Sequence, residues 1–398
     1  MNIWLALLIP IIVAGVGIAF FHKKLTWWEL ILPIGFSILI VLIFKFTTIS
    51  YLTSDTEYRG GIVIKAEYYE YWDSWVHKTC SRQVSCGTDS KGNTKYCTEY
   101  YDCSYCDENP ARWKVIDTRG NSFFISETYF KELSQRWNFS PKFVDLHRSI
   151  IPHFSCGTDG DMYEIYWDNK IETSDATVTE HSYENRVQAA HTSFDYIDVS
   201  IEEAKMKKLY NYPLRKGYKQ NPVMGLDSVK WMTSAEKISF TKQFEYLNGK
   251  LGPDKHVKFW LLMFVDAPLE TAFLQEAYWD GGNDNEVIMC MSMDRDSNNI
   301  QWVQCFSWTP NRQLLVDLRE DVSSMKSVNS LQMYNKIRDD LRGGYVWKDF
   351  KEFDYVSVEL PTWSIVTTFF ITLLVSVGVI FWGISNEFDN DSDKFFKK

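Results

Sequence analysis

Eight cysteines, three acidic side chains in one short loop and seven scattered histidines are the residues whose types and spacing bear on chemistry. Cys80, Cys86, Cys97, Cys103 and Cys106 fall within 27 residues, with Cys156, Cys290 and Cys305 further on. Cys80 precedes Cys86 by six residues, and Cys103 follows Cys97 by six. If Cys86 faces Cys97 across an antiparallel hairpin, Cys80 therefore faces Cys103 on the same side of the same ribbon. The turn between them, Asp89-Ser90-Lys91-Gly92-Asn93-Thr94, sets a register one residue tighter, which a single β-bulge reconciles. Disulfides Cys86–Cys97 and Cys80–Cys103 are predicted, leaving Cys106 to pair with Cys156. Cys290 and Cys305 oppose each other if their hairpin has an even loop, which would give a fourth disulfide. Two alternatives remain. A zinc site would draw on Cys103-x-x-Cys106 with Cys80, Cys86 or His77. Cys80 and Cys86 lie about 20 Å apart along one strand, too far for both to reach one ion. A redox-active Cys103-x-x-Cys106 is the other.

The acidic loop is Asp280-Gly281-Gly282-Asn283-Asp284-Asn285-Glu286. Asp280, Asp284 and Glu286 form a candidate metal set, with calcium the fitting ion because it takes carboxylate and carbonyl oxygens. A plain solvated loop is the competing reading. Asp294-x-Asp296-x-Asn298 begins like an EF-hand loop. Asn299 replaces the central glycine and Cys305 stands where the bidentate Glu belongs, so a hairpin turn is expected there. His147 and His153 bracket Ile150-Ile151-Pro152, and a structural role is favoured for both. No nucleophile elbow, HExxH, P-loop or dinucleotide fingerprint occurs, and no other cofactor is expected.

These residues belong to a chain that is 45% hydrophobic and 16% aromatic, with a net charge of −10. It carries no basic stripe, which argues against nucleic-acid binding. Trp27–Phe46 reads WWELILPIGFSILIVLIFKF, long enough to span a bilayer and edged with aromatic residues suited to its interfaces. Ile3–Phe21 and Trp363–Trp382 are similar. Glu29 and Lys45 near the ends are the charges in these spans, so no polar face or ion path is expected. Ser376, Gly378 and Gly383 would allow close helix packing. His22-Lys23-Lys24 in the first link and Lys394, Lys397 and Lys398 in the tail lie two crossings apart, hence on one side. The positive-inside rule makes that side the cytoplasm. The N-terminus and the large domain then lie outside, where eight cysteines suit an oxidising compartment.

The expected organisation is a two-helix transmembrane hairpin (1–48), a cysteine-bearing β-rich half (49–231), an α/β half (232–361), a third transmembrane helix (362–384) and a cytoplasmic tail (385–398). The fold class is a membrane protein with three transmembrane α-helices and an α+β ectodomain. In the first half, strand Gly61–Trp72 precedes the cysteines. Asp117-Thr118-Arg119-Gly120-Asn121-Ser122 repeats the motif of the cysteine turn and closes a hairpin that sets Trp113 and Val115 opposite Ile125 and Phe123. A helix follows near Glu127–Trp137, and another hairpin is expected from Met162, turning at Asp168-Asn169-Lys170. In the second half, Thr233-Ser234-Ala235-Glu236 is a capping box. It opens a helix with Phe240, Phe244, Leu247 and Leu251 on one face, ending at Gly252-Pro253. Then come a buried strand, His256–Val265, a helix, Leu269–Trp279, the acidic loop, and a hairpin of Val287–Met293 and Ile300–Trp308. Helices near Gln313–Asp321 and Ser330–Leu341 complete this half.

That order, over residues 233–345, resembles the TPM domain, a small α/β module of membrane-tethered envelope proteins. The likeness rests on the capped helix, the buried strand and the GGNDNE loop before the apolar strand VIMCMSM. Phe306-Ser307-Trp308-Thr309-Pro310 stands where the family has a glycine-rich segment. The resemblance implies a tethered accessory role, with phosphatase-type hydrolysis through Asp280–Glu286 as its enzymatic version. The residues themselves favour a structural or interaction protein. Its aromatic-rich, disulfide-braced ectodomain would bind another envelope component or a second copy of itself.

Overall fold

The computed structural model describes residues 2–21, 25, 27–88, 91–146, 156–168, 174–190 and 199–386. The lysines at 23, 24, 394, 397 and 398 that carry the orientation argument lie outside these residues, as do His147, His153, and Asn169 and Lys170 of the expected turn.

In chain order, a 3-10 turn at Ile3–Leu7 leads into α1 (Leu8–Phe21) and α2 (Trp27–Thr53). Strands β1 (Ser54–Tyr69), β2 (Trp72–Val76), β3 (Thr79–Thr88), β4 (Thr94–Asp102), β5 (Tyr105–Asn109), β6 (Arg112–Asp117) and β7 (Ser122–Ile125) follow. Next come α3 (Glu127–Arg136), β8 (Lys142–Val144), β9 (Met162–Tyr166), β10 (Ala176–Glu184), α4 (Ile201–Lys207) and β11 (Val223–Met224). The remainder is α5 (Ser234–Lys255), β12 (Lys258–Val265), α6 (Glu270–Tyr278), β13 (Glu286–Met293), β14 (Ile300–Ser307), α7 (Arg312–Ser324), α8 (Ser330–Gly344) and α9 (Thr362–Asn386). The chain divides into two compact units: Met1–Glu57 with His181–Ile201 and Lys348–Lys398, and Tyr58–Glu180 with Glu202–Trp347.

The first unit holds three helices long and apolar enough to cross a membrane, Ile3–Phe21, Trp27–Thr53 and Thr362–Ser385, with mean hydropathies of 2.6, 2.4 and 2.3. A polar face does run along α9, contrary to the sequence expectation. Ser364, Thr368, Thr372 and Ser376 recur every fourth residue and are all fully buried. On α2, Glu29, Ser37 and Thr48 are buried at helical spacing. Thr48 Oγ1 lies 2.8 Å from Ser364 Oγ, and a Cβ on Gly383 would stand 2.9 Å from the Glu29 carboxyl carbon. Gly383 thus admits the close approach expected of it, whereas a Cβ on Gly378 would meet nothing within 4 Å. Small residues let helix backbones meet, and hydroxyls bond across the contact. Beyond the helices, Asp55 Oδ2 accepts from Asn185 Nδ2 at 2.7 Å and Tyr183 OH at 3.1 Å.

In the second unit, a six-stranded sheet runs β7-β6-β1-β9-β8, with β10 also paired to β1. The β6–β7 hairpin has the expected register, Trp113↔Ile125 and Val115↔Phe123. Its turn works as the motif requires: Gly120 sits at φ 80°, and Asp117 Oδ1 accepts the N–H groups of Arg119 and Asn121, both at 2.9 Å. β9 pairs with β1 and β8, and β10 with β1. The hairpin expected from Met162 is therefore replaced by pairing to the long β1.

A second sheet runs β11-β12-β13-β14, parallel at its first two junctions and antiparallel at the last. It takes in Val223–Met224, upstream of the 231/232 division read from sequence. Its two faces bury different cores. Phe259, Leu261, Met263, Val287 and Met289 join Phe244 and Leu247 of α5, Leu318 of α7 and Ile337 of α8. Trp260, Leu262, Phe264, Ile288 and Cys290 join Trp279 on the other side. Each such side chain contributes about 1.5–3 kcal/mol by leaving water. The expected capping box at Thr233–Glu236 is present. The helix it opens runs past Pro253 to Lys255, and His256 ends it at φ 58°. Gly249 and Gly252 let α5 meet β1: added Cβ atoms would stand 2.6 Å from Gly61 O and 2.9 Å from Gly60 O.

Candidate functional site

The acidic loop turns inward. Asp280, Gly281 and Gly282 take φ values of 49°, 79° and 80° in succession, a left-handed run that ends α6 and aims the chain into β13. Glu286, the first residue of β13, is fully buried. Its carboxylate accepts from Trp260 Nε1 at 2.7 Å, from Asn283 N at 2.9 Å and from the Tyr212 hydroxyl. Parallel pairing sets it beside Lys258, the first residue of β12. The Lys258 ammonium lies 4.7 Å from the centre of the Trp260 ring. Burial pushes the Lys258 pKa down to about 7, against the pull of Glu286 and Glu245. Burial raises the Glu286 carboxyl, against its hydrogen bonds and Lys258. Asp284 Oδ2 accepts from Trp347 Nε1 at 3.1 Å, and Trp347 stacks on His256 at 4.4 Å.

Asp280, Asp284 and Glu286 are therefore not brought together as a metal set, because two of the carboxylates are committed to separate indole and phenol donors. Among the described residues, the acidic oxygens that do converge within 4.8 Å are those of Asp145, Asp159 and Asp161. No sequence signal marks that group, whose members are fourteen and two residues apart and mostly exposed. The carboxylate of Asp161 also accepts the Leu146 N–H at 3.3 Å. Asp294–Asn298 is the hairpin turn expected, with Asp294 Oδ1 accepting Asp296 N at 3.1 Å. Sequence reasoning missed Lys258, whose signal is a lysine placed at the head of the run KFWLLMFV.

The cysteine ribbon faces outward. β3 and β4 pair only with each other, and their residues are exposed or half-buried throughout. The predicted disulfides Cys80–Cys103 and Cys86–Cys97 are present, with Cα separations of 5.8 and 5.7 Å. Their geometry differs from that expected. Cys80 stands opposite Tyr101 and Cys97 opposite Val84, so each bond runs diagonally to a residue two further along. Both are displaced equally, which preserves the shared six-residue spacing. A register shift does fall between Ser85 and Thr88, but in the opposite sense to the bulge expected, moving the strands away from direct Cys86–Cys97 opposition. An isolated two-stranded hairpin is marginal in water; closing a short loop with a disulfide supplies roughly 3 kcal/mol.

The ribbon's faces differ in chemistry. The disulfides share one with Arg82, which bonds Glu99 at 2.8 Å and lies 5.4 Å from the centre of the Tyr101 ring. The other carries Ser81, Gln83, Ser85, Tyr96, Thr98 and Tyr100, by alternation from the register. Its one charge is Asp102, paired with Thr79 at the base of the ribbon; Tyr96 and Tyr100 are 65% and 72% exposed.

The remaining cysteine expectations resolve differently. Cys290 and Cys305 do not pair: the register sets Met289 against Cys305 and Cys290 against Gln304. The loop between Met293 and Ile300 is even, but the register shifts between Ser292 and Met293, and the two thiols enter the opposite cores of the sheet. Cys106 and Cys156 are not disulfide-bonded, though their side chains hydrogen-bond. No protein-family model, curated protein or solved structure matches this chain.

Proposed function

We propose that this is a membrane-anchored interaction protein that docks another envelope component, or a second copy of itself, through the tyrosine-bearing face of its disulfide-braced ribbon. The observation that carries the reading is the exposure of Tyr96 and Tyr100 on a hairpin with no core beneath it. A chain that leaves large aromatic side chains in water on a covalently stiffened element presents them for contact, since Tyr supplies apolar area and a hydrogen-bonding tip at low entropic cost. In this reading the three apolar helices span the bilayer, with the N-terminus and large domain outside the cytoplasm and the tail within it. The basic link and tail support that orientation.

The test is a crosslinked pull-down of the full-length protein from native membranes, compared with Tyr96→Ser/Tyr100→Ser. A stoichiometric partner or self-crosslink that falls at least tenfold in the double variant supports the reading. Equal recovery by both proteins overturns the ribbon's role, and no specific partner for either overturns the interaction function.

A further inference from the structure

Cys106 and Cys156 lie fifty residues apart in sequence and are brought together by two independent attachments to β2. β5 pairs with β2 so that Cys106 stands opposite Trp75 and Glu108 opposite Asp73. The segment carrying Cys156 is docked on the same strand. Asp73 N donates to Thr158 O at 3.0 Å, while Asp73 Oδ1 accepts Gly157 N at 2.9 Å and Thr158 N at 2.6 Å. Those backbone donors hold the Asp73 carboxyl below its usual range. The thiols are thus held side by side by a strand pairing on one flank and a charged acceptor on the other. Neither depends on a sulfur–sulfur bond.

The surroundings decide what such a pair can do. Burial, then the Cys106 side chain, then Asp73 and Glu108 raise the Cys156 thiol to about 11. A thiol kept protonated is a poor resting nucleophile and a poor metal ligand. Among the described residues, neither sulfur belongs to a group converging as metal ligands do. What remains favourable is joining the two sulfurs, because proximity is already secured.

We propose that Cys106 and Cys156 are a third cross-linking site of this protein, closed by thiol–disulfide exchange with the disulfide of a dithiol oxidoreductase or of a small thiol. Cys106 forms the mixed disulfide and Cys156 displaces the second sulfur of the oxidant. The pair gives up two protons and two electrons, and the oxidant's disulfide leaves as two thiols. The other two bonds brace β3–β4 internally, across separations of 23 and 11 residues. This one would tie the β2–β5 ribbon to the chain entering β9.

Purified full-length protein incubated with oxidised glutathione, alkylated, digested without reductant and mapped by mass spectrometry tests the site. The expected result is a Cys106–Cys156 peptide at least as abundant as Cys86–Cys97. Asp73→Ala, which undocks residues 157–158, should lower that yield severalfold while leaving Cys86–Cys97 unchanged. Recovery of Cys106 and Cys156 mainly as alkylated or singly glutathionylated peptides, or joined to other cysteines, would overturn the proposal. So would a yield indifferent to Asp73→Ala.

Discussion

The hydroxyls of Thr48 and Ser364 meet at 2.8 Å, across a sequence separation of 316 residues. Nineteen residues before Thr48 stands Glu29; nineteen after Ser364 stands Gly383, and these two also touch. Two contacts with the same offset show that α2 and α9 run antiparallel without slippage between them. Ser37 then lies within one residue of level with Ser376, and Val41 within one of Thr372. The seam is a ladder of small and hydroxyl-bearing residues with a carboxylate at one end.

Breaking the ladder should loosen the pair in measurable steps. Thr48→Val removes one interhelical hydrogen bond and is expected to cost about 0.6 kcal/mol. Gly383→Leu forces α9 away from Glu29 and should cost several times more. A Thr48→Cys/Ser364→Cys protein should crosslink readily under oxidation in membranes. Adding Gly383→Leu should lower that yield.

The Lys258 pair predicts an unusual pH dependence. Its folded pKa, about 7, lies below the ordinary value near 10.5, so over that window the unfolded chain binds the additional proton. Stability therefore rises with pH from about 7 to 10, with a slope near 1.4 kcal/mol per unit, and is lost as pH falls back toward 7. Glu286 acts oppositely at lower pH: its raised carboxyl makes stability fall as pH climbs above about 4.5. Denaturant unfolding followed by tryptophan fluorescence should show the alkaline rise. Lys258→Met should abolish it.

Asp284→Ala should lower the melting temperature equally with and without calcium. The buried carboxylate is spent on the Trp347 indole, and removing it strands that donor at a cost of about 1–3 kcal/mol. A calcium-dependent difference between wild type and variant in a thermal scan would contradict this account.

Removing Cys86 and Cys97 together as serines should release the ribbon alone. Loss of roughly 3 kcal/mol of loop closure should appear as faster amide exchange across β3 and β4. β12 and β13, whose side chains are buried in the two cores, should keep their protection.

The sequence is legible where spacing is a conserved geometric quantity and silent where direction matters. Cys80, Cys86, Cys97 and Cys103 announce their partners because equal offsets survive any uniform displacement. They hide the diagonal geometry because Cα separations of 5.8 and 5.7 Å also suit direct opposition. The β6–β7 register follows from apolar alternation and one turn motif. Glu286, by contrast, reads as loop acidity until parallel pairing sets it next to Lys258. Ser364, Thr368, Thr372 and Ser376 are diluted in a mean hydropathy of 2.3, which averages over the helix circumference and cannot register one face.

The Thr48–Ser364 contact makes the intervening chain a polymer ring fastened at its neck. A ring of 316 residues samples far fewer unfolded shapes than a strand with loose ends. By loop-closure entropy the difference is about 5 kcal/mol. While α2 and α9 hold together, everything between them unfolds into a confined coil and refolds from one. Cutting either tether would withdraw that confinement from every element of the larger unit at once, without altering a single contact inside it.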